Sequence, residues 1–311
     1  MKKLKWLLLR TNRQGFGPCP EHIILRPAKL FKKLLEERTN GSIQVELLTI
    51  EQYKENYDKD FTVSNFLQAV GNNEIQICQP EVHNLGYLDS NFYVFDMPWM
   101  FNSHEHATRV FEGKIGQIMN KRLEKDFNIK GLAYTYSGGY RCIGGFKMIS
   151  NLEDLQGKNL LVSNNPITKE YMESLGVKTT QRREVENDIS IGDTLDARDT
   201  TYIRYPEATN FLKTNHSLFL TDIITNLDFY NSLTENEQEI FKQVALEVAR
   251  TERKETTQEA KDFENTAKEK GCDIIELSQK EQEIMKAKAK ELYKKWESKY
   301  FPGLINGIQK A

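Results

Sequence analysis

The chain lacks a long hydrophobic run. Nowhere in its 311 residues do eighteen apolar residues follow one another, so no segment reads as a membrane-spanning helix. Cysteine is scarce. The four, Cys19, Cys78, Cys142 and Cys272, stand singly with no C-x-x-C pair, which argues against a zinc site or a redox dithiol and for buried or free thiols. An excess of one charge is missing too. Lys+Arg number 43 against 45 Asp+Glu, a formal net charge of -2, whereas nucleic-acid binders show a basic excess. No G-x-S-x-G, P-loop or G-x-G-x-x-G occurs, and no carboxylate pair stands out for acid–base work. Neither an enzyme nor a cofactor site has support here, and a binding protein is the first reading.

What is present is the balance of a soluble globular protein, 39% hydrophobic and 28% charged, long enough for two domains. The start, MKKLKWLLLRTN, mimics a signal peptide, but its apolar run is short and no small-residue cleavage site follows. Leu4, Trp6 and Leu8 alternate instead as a first β-strand. A signal, if the protein is exported, was removed before this numbering, and a lipid anchor stays open.

A helix follows over about Ile23–Arg38, with Ala28, Leu30, Phe31, Leu34 and Leu35 on one side and Gly41 just beyond its end. Ile43, Val45 and Leu47 alternate as strand two. Val63, Phe66, Leu67 and Val70 form a helix face, and Ile75–Ile77 a short strand ending at Cys78–Gln79. This order means βαβ units and a parallel sheet. A helix is predicted over Ser103–Lys125, and a second α/β run from about Ile129. Its central stretch, Leu132 to Pro166, holds Arg141 beside Gly138 and Gly139, and Asn164–Asn165–Pro166 at a strand-to-helix turn. Strand ends and helix starts are where ligands dock in open α/β sheets. Thr234–x–x–Glu237 and Ser278–x–x–Glu281 are capping boxes. The first opens a helix running to about Lys270, roughly 50 Å at 1.5 Å per residue, long enough to cross two domains. Two α/β lobes without a floppy linker suggest a clam-shell that closes by hinging.

The ordered features resemble the solute-binding proteins of tripartite ATP-independent periplasmic (TRAP) transporters, the DctP type, over essentially the whole chain. The resemblance rests on Thr39–Asn–Gly41–Ser–Ile43–x–Val45, Met97–Pro–Trp–Met–Phe101, Gly139–Tyr–Arg141, Asp154–Leu–Gln–Gly157, Leu175–Gly–Val177, Glu184–Val185, Thr194–Leu–Asp196–Ala197, Leu212–Lys–Thr–Asn–His216 and Leu233–Thr–Glu–x–Glu–Gln238. It implies an α/β, two-lobed periplasmic-binding-protein clam-shell of type II-like form, with the long helix bridging both lobes. The lobes are expected at 1–126 plus about 214–250, and at 127–213 plus about 251–311. It further implies a periplasmic monomer that captures a small organic acid for membrane permease subunits, with no cofactor and no nucleic-acid partner. A clam-shell sensor module is the alternative from another class.

One departure bears on the ligand. The family usually carries an Arg in the third strand of the second run, and here Leu161 holds that place. The bidentate fork that Arg offers a carboxylate is absent there, and Lys158 is no equivalent. Either the solute is neutral or apolar, seated against Leu161, or another cation receives an anion. Arg141 is the first candidate, with Arg182 or Arg198 as replacements. Asn164, Gln79, Thr200, Phe16 and Gln14 complete the expected ligand-binding set. His104 and His106 form an H-x-H beside Glu105 at a helix start, where solvated polar residues are common and a metal is the less favoured reading.

Overall fold

The computed structural model describes residues 1–9, 25–145, 148–181, 191–194, 210–269 and 271–311. In chain order these form β1 (Lys2–Leu7), α1 (Leu25–Arg38), β2 (Ile43–Leu48), α2 (Ile50–Tyr57), α3 (Val63–Gly71), β3 (Ile77–Cys78), α4 (Val82–Leu85), α5 (His104–Glu112), α6 (Lys114–Phe127) and β4 (Ile129–Tyr140). Then come β5 (Cys142–Gly145), β6 (Asn159–Val162), α7 (Pro166–Ser174), β7 (Lys178–Gln181), β8 (Ile191–Thr194), β9 (Asn210–Lys213) and β10 (Leu218–Asn226). The chain closes with α8 (Leu227–Asn231), α9 (Glu235–Glu269), β11 (Asp273–Glu276), α10 (Gln279–Trp296) and α11 (Leu304–Gln309).

Two sheets divide the strands, one per lobe. The first has the order β2-β1-β3-β10-β4, the second β11-β9-β5-β8-β6-β7. β1 pairs in parallel with β2 and β3, as the βαβ reading requires, while β10 returns antiparallel between β3 and β4. Leu4, Trp6 and Leu8 face α1 and α9, packing with Phe31, Phe241 and Val244, while Leu7 faces the other way. The period-2 alternation therefore sorts the two faces of β1 as a buried parallel strand demands.

α9 is the bridge. Its first half lays Phe241, Val244, Ala245, Val248 and Ala249 on the first sheet. Its far end brings Ala267 against Cys142, Leu161 and Phe211 of the second. Local chemistry sets the starts of the other helices. Asn165 accepts from the backbone of Ile167 and Thr168 with Pro166 at the first helical position. Ser278 and Glu281 form the expected capping box of α10.

Several expectations shift. The helix predicted over Ser103–Lys125 breaks at Gly113, whose backbone is extended (φ -92, ψ -164) and caps α6. The restart is tight: a Cβ on Gly116 would lie 2.1 Å from the Phe111 carbonyl oxygen. The strand after Ile129 does not open the second lobe. β4 pairs with β10 along nearly its whole length and forms the edge of the first sheet. The boundary expected between 126 and 127 therefore moves to Arg141, where β4 hands over to β5. The C-terminus also departs from its expected place in the second lobe. α10 packs on α7, but His106 Nε2 meets the Ile308 carbonyl at 2.8 Å and Gly307 approaches Ile115, so α11 returns to the first lobe.

Candidate functional site

Among the described residues, β4 runs into β5 through Arg141, β9 runs into β10 through Thr214–Ser217, and α9 spans both sheets. The first crossing is bent by a bulge. Between the pairs Leu218↔Tyr140 and Leu220↔Tyr136, β4 carries extra residues, with Gly138 at φ 101, a left-handed value that favours glycine. Beyond the bulge, the Arg141 backbone is clamped to the second crossing. Its N–H donates to the Ser217 carbonyl at 2.8 Å, and its carbonyl accepts from Thr214 Oγ1 at 3.3 Å. Its side chain is 4% exposed and lies over the Phe219 ring, 5.3 Å from the centroid. The guanidinium is thus buried and its backbone is fixed on both sides of the Cα.

His216 sits beside it, buried, with Nδ1 2.8 Å from Thr214 Oγ1. Burial, reinforced by the Arg141 charge, lowers its pKa to about 3, so the ring is neutral at physiological pH and adds no cation. The His216 carbonyl accepts from the Trp99 N–H at 2.7 Å. Trp99 holds a left-handed backbone, φ 62, uncommon for a bulky residue. Its indole N–H donates to Tyr171 Oη of α7 at 3.2 Å, and Tyr171 donates onward to the Met285 carbonyl of α10 at 3.0 Å. One strained residue thus ties the first lobe, a crossing strand and the second lobe together.

Gln79, just past β3, is 1% exposed. Its Nε2 donates to Thr221 Oγ1 at 2.9 Å and to Glu252 Oε2 of α9 at 2.8 Å. Thr221 and Phe219 share one face of β10, two residues apart. Gln79 and Arg141 thus each meet β10, at Thr221 and at Phe219, two residues apart along the strand. Asn164 stands at the turn from β6 to α7, and its Nδ2 donates to Tyr87 Oη of the first lobe. Sequence reasoning placed it at the cleft edge; the structure makes it a contact between lobes. Leu161 is buried among Cys142, Phe211 and Ala267. Its side chain fills the space between the second sheet and α9. Gln14, Phe16, Arg182, Arg198 and Thr200 lie outside the described residues.

A cavity of about 220 Å³ opens elsewhere at the hinge, lined by His104, Tyr140, Phe211, Lys213, Asn215 and Lys261 among others. None of Arg141, Gln79, Asn164 or Leu161 lines it. The H-x-H histidines are engaged in structure: His104 Nε2 lies 3.1 Å from the Gly138 carbonyl at the bulge, and His106 Nδ1 accepts from the Asn102 N–H at 3.2 Å.

Sequence reasoning missed Glu252, Thr221 and Trp99. A signal for Glu252 existed: it sits on the stripe Phe241, Val244, Val248, Ala249, Thr256 that α9 buries.

A family model described as "Bacterial extracellular solute-binding protein, family 7" (DctP) matches residues 18–182 and 204–299. The chain belongs to this family. Among curated relatives, the C4-dicarboxylate-binding protein DctB of Bacillus subtilis is 22% identical over 291 residues, covering 90% of this chain and 80% of the relative. Two solved TRAP periplasmic solute-binding proteins share the fold. One, from Desulfovibrio desulfuricans with bound sn-glycerol-3-phosphate, superposes with a TM-score of 0.85 at 20% identity, covering 99% of this chain and 96% of that one. The other, from Haemophilus influenzae with bound L-gulonate, gives 0.84 at 20% identity, covering 100% and 99%. The two-sheet clam-shell with its long bridging helix is thus the family's architecture.

Proposed function

We propose that this protein is the periplasmic receptor of a TRAP transporter and that it captures a small organic anion for the membrane permease subunits. The observation that carries the ligand reading is Arg141: buried, clamped by Ser217 and Thr214, and laid over Phe219 where the lobes join. It supplies a cation in a chain whose usual third-strand Arg is Leu161. The packing of Leu161 into the Cys142–Phe211–Ala267 cluster supports a filling role for it rather than contact with an apolar solute. The ligands of the relatives, a C4-dicarboxylate, a sugar acid and a phosphate ester, are all small anions, which agrees.

In this role no bond is made or broken. The acid enters the open cleft, its acid group meets Arg141, and the lobes close at the Asn164–Tyr87 contact. The ligand drives closure only by its greater affinity for the closed form. The closed monomer then docks on the permease, and reopening lowers affinity and releases the acid. A thermal-shift screen across organic acids, sulfonates, sugars and fatty acids tests the reading. A ligand at a hundredfold excess over Kd stabilises the fold by about 2.7 kcal/mol. The expected hits are organic acids, lost in Arg141→Ala; hits confined to sugars or fatty acids, or unaffected by that change, contradict it.

A further inference from the structure

We infer that the solute carries a hydroxyl group, or an equivalent uncharged donor, a short carbon chain away from its acid group, and that Glu252 is the positioning residue that demands it. This deepens the organic-anion reading and rests on it for the acid group alone.

The sense of one amide decides what the site demands. A glutamine side chain has a donor end and an acceptor end of nearly equal shape, and the surrounding groups decide which way each points. Here they do. One end of Gln79 lies 2.8 Å from Glu252 Oε2. The charge of Glu252 is favoured by the nearby Arg26 guanidinium, on which it acts electrostatically; a carboxylate only accepts, so the end facing it is the NH₂ group, the opposite sense setting oxygen against oxygen. The same NH₂ reaches Thr221 Oγ1 at 2.9 Å, which uses its second hydrogen. Both donors of the amide are therefore engaged, and the carbonyl end, Oε1, is turned the other way.

That oxygen is buried and, among the described residues, meets no hydrogen-bond partner. An orphaned buried acceptor costs free energy comparable to a lost hydrogen bond. The group that relieves it must be a donor. A carboxylate oxygen, a keto oxygen or an ether cannot serve; a hydroxyl can. Its place is set by β10. Gln79 binds Thr221, while Arg141 lies over Phe219 two residues away on the same face. Alternate residues on a strand face are about 7 Å apart. An acid group at Arg141 and a hydroxyl at Gln79 thus fit one short molecule. Glu252 touches no part of that molecule in this scheme. It acts by locking the amide, with its own carboxylate 4% exposed as a residue and held on the rigid α9.

The test compares matched acids on the full chain by calorimetry: L-malate against succinate, and D-galactonate against hexanoate. The hydroxylated member is expected to bind at least about tenfold tighter in each pair that binds. Glu252→Gln, nearly isosteric, lets the Gln79 amide present either end, and the ratio should fall toward one while the succinate or hexanoate affinity holds. In Gln79→Leu the ratio should likewise fall toward one; a loss of folding there leaves Glu252→Gln to decide. Equal binding within the pairs, or a ratio unmoved by Glu252→Gln, overturns the inference while leaving the anion reading intact. Binding of sorbitol but of no acid, with the same dependence on Glu252, does the reverse. Failure of every acid and of sorbitol overturns both.

Discussion

Asp222 of β10 offers the sharpest stability test. It is fully buried opposite Tyr134, in the apolar core of the first lobe beside Cys78. Among the described residues neither carboxyl oxygen meets a hydrogen-bond partner of good geometry, and the Tyr134 hydroxyl has none either. Burial therefore holds the Asp222 pKa well above the usual carboxylate value, opposed only in part by the Ala133 backbone. The folded state keeps this proton while the unfolded chain releases it at about pH 4. Stability from this group is complete below that pH and is lost as pH rises toward the raised folded value. The slope is about 1.4 kcal/mol per pH unit for one proton. Asp222→Asn removes the titration without changing the shape. Urea unfolding of both proteins from pH 5 to pH 8 should show the variant gaining on the wild type as pH rises. Relief of an unpaired buried acid is worth on the order of 1–3 kcal/mol. Identical slopes for the two proteins would mean Asp222 titrates normally in the fold, and the assignment of an unpaired buried acid would fail.

Other outcomes follow from the site. Arg141→Ala should weaken acid binding by roughly 10–150-fold, the equivalent of about 1.5–3 kcal/mol for a hydrogen bond to a charged group; calorimetry checks this, and unchanged affinity refutes it. The His216 ring should show no titration in its NMR shifts between pH 8 and pH 5, since burial and Arg141 hold its pKa at about 3; a midpoint near 6 would contradict the burial argument. Asn164→Ala removes the link to Tyr87 and should speed ligand release several-fold in stopped-flow displacement, with little change in melting temperature, because both residues are exposed.

Much of this fold was legible because its signals are local. Asn165–Pro166 and Ser278–x–x–Glu281 announce helix starts by chemistry that needs no tertiary partner. The Leu4–Trp6–Leu8 alternation and the length of α9 are likewise written in a single segment. What misled was long-range pairing. Nothing in Ile129–Tyr140 tells which sheet will take it; β10, some eighty residues later, decides. β11 is only four residues, and its place beside β9 depends on where α9 delivers it. The binding face follows the same division. Arg141 was visible as a lone cation beside glycines, but its clamp comes from Thr214 and Ser217. Gln79 was visible as a strand end, yet the sense of its amide depends on Glu252, far away in sequence and legible only as an acid on an apolar stripe.

The central claim is that two lobes close on one small acid held at Arg141. Small-angle X-ray scattering, with and without the acid that most stabilises the protein, reads it most directly. The radius of gyration should contract on adding that acid and stay unchanged in Arg141→Ala. An equal radius in the wild type with and without the acid, at concentrations that saturate binding, would contradict the account.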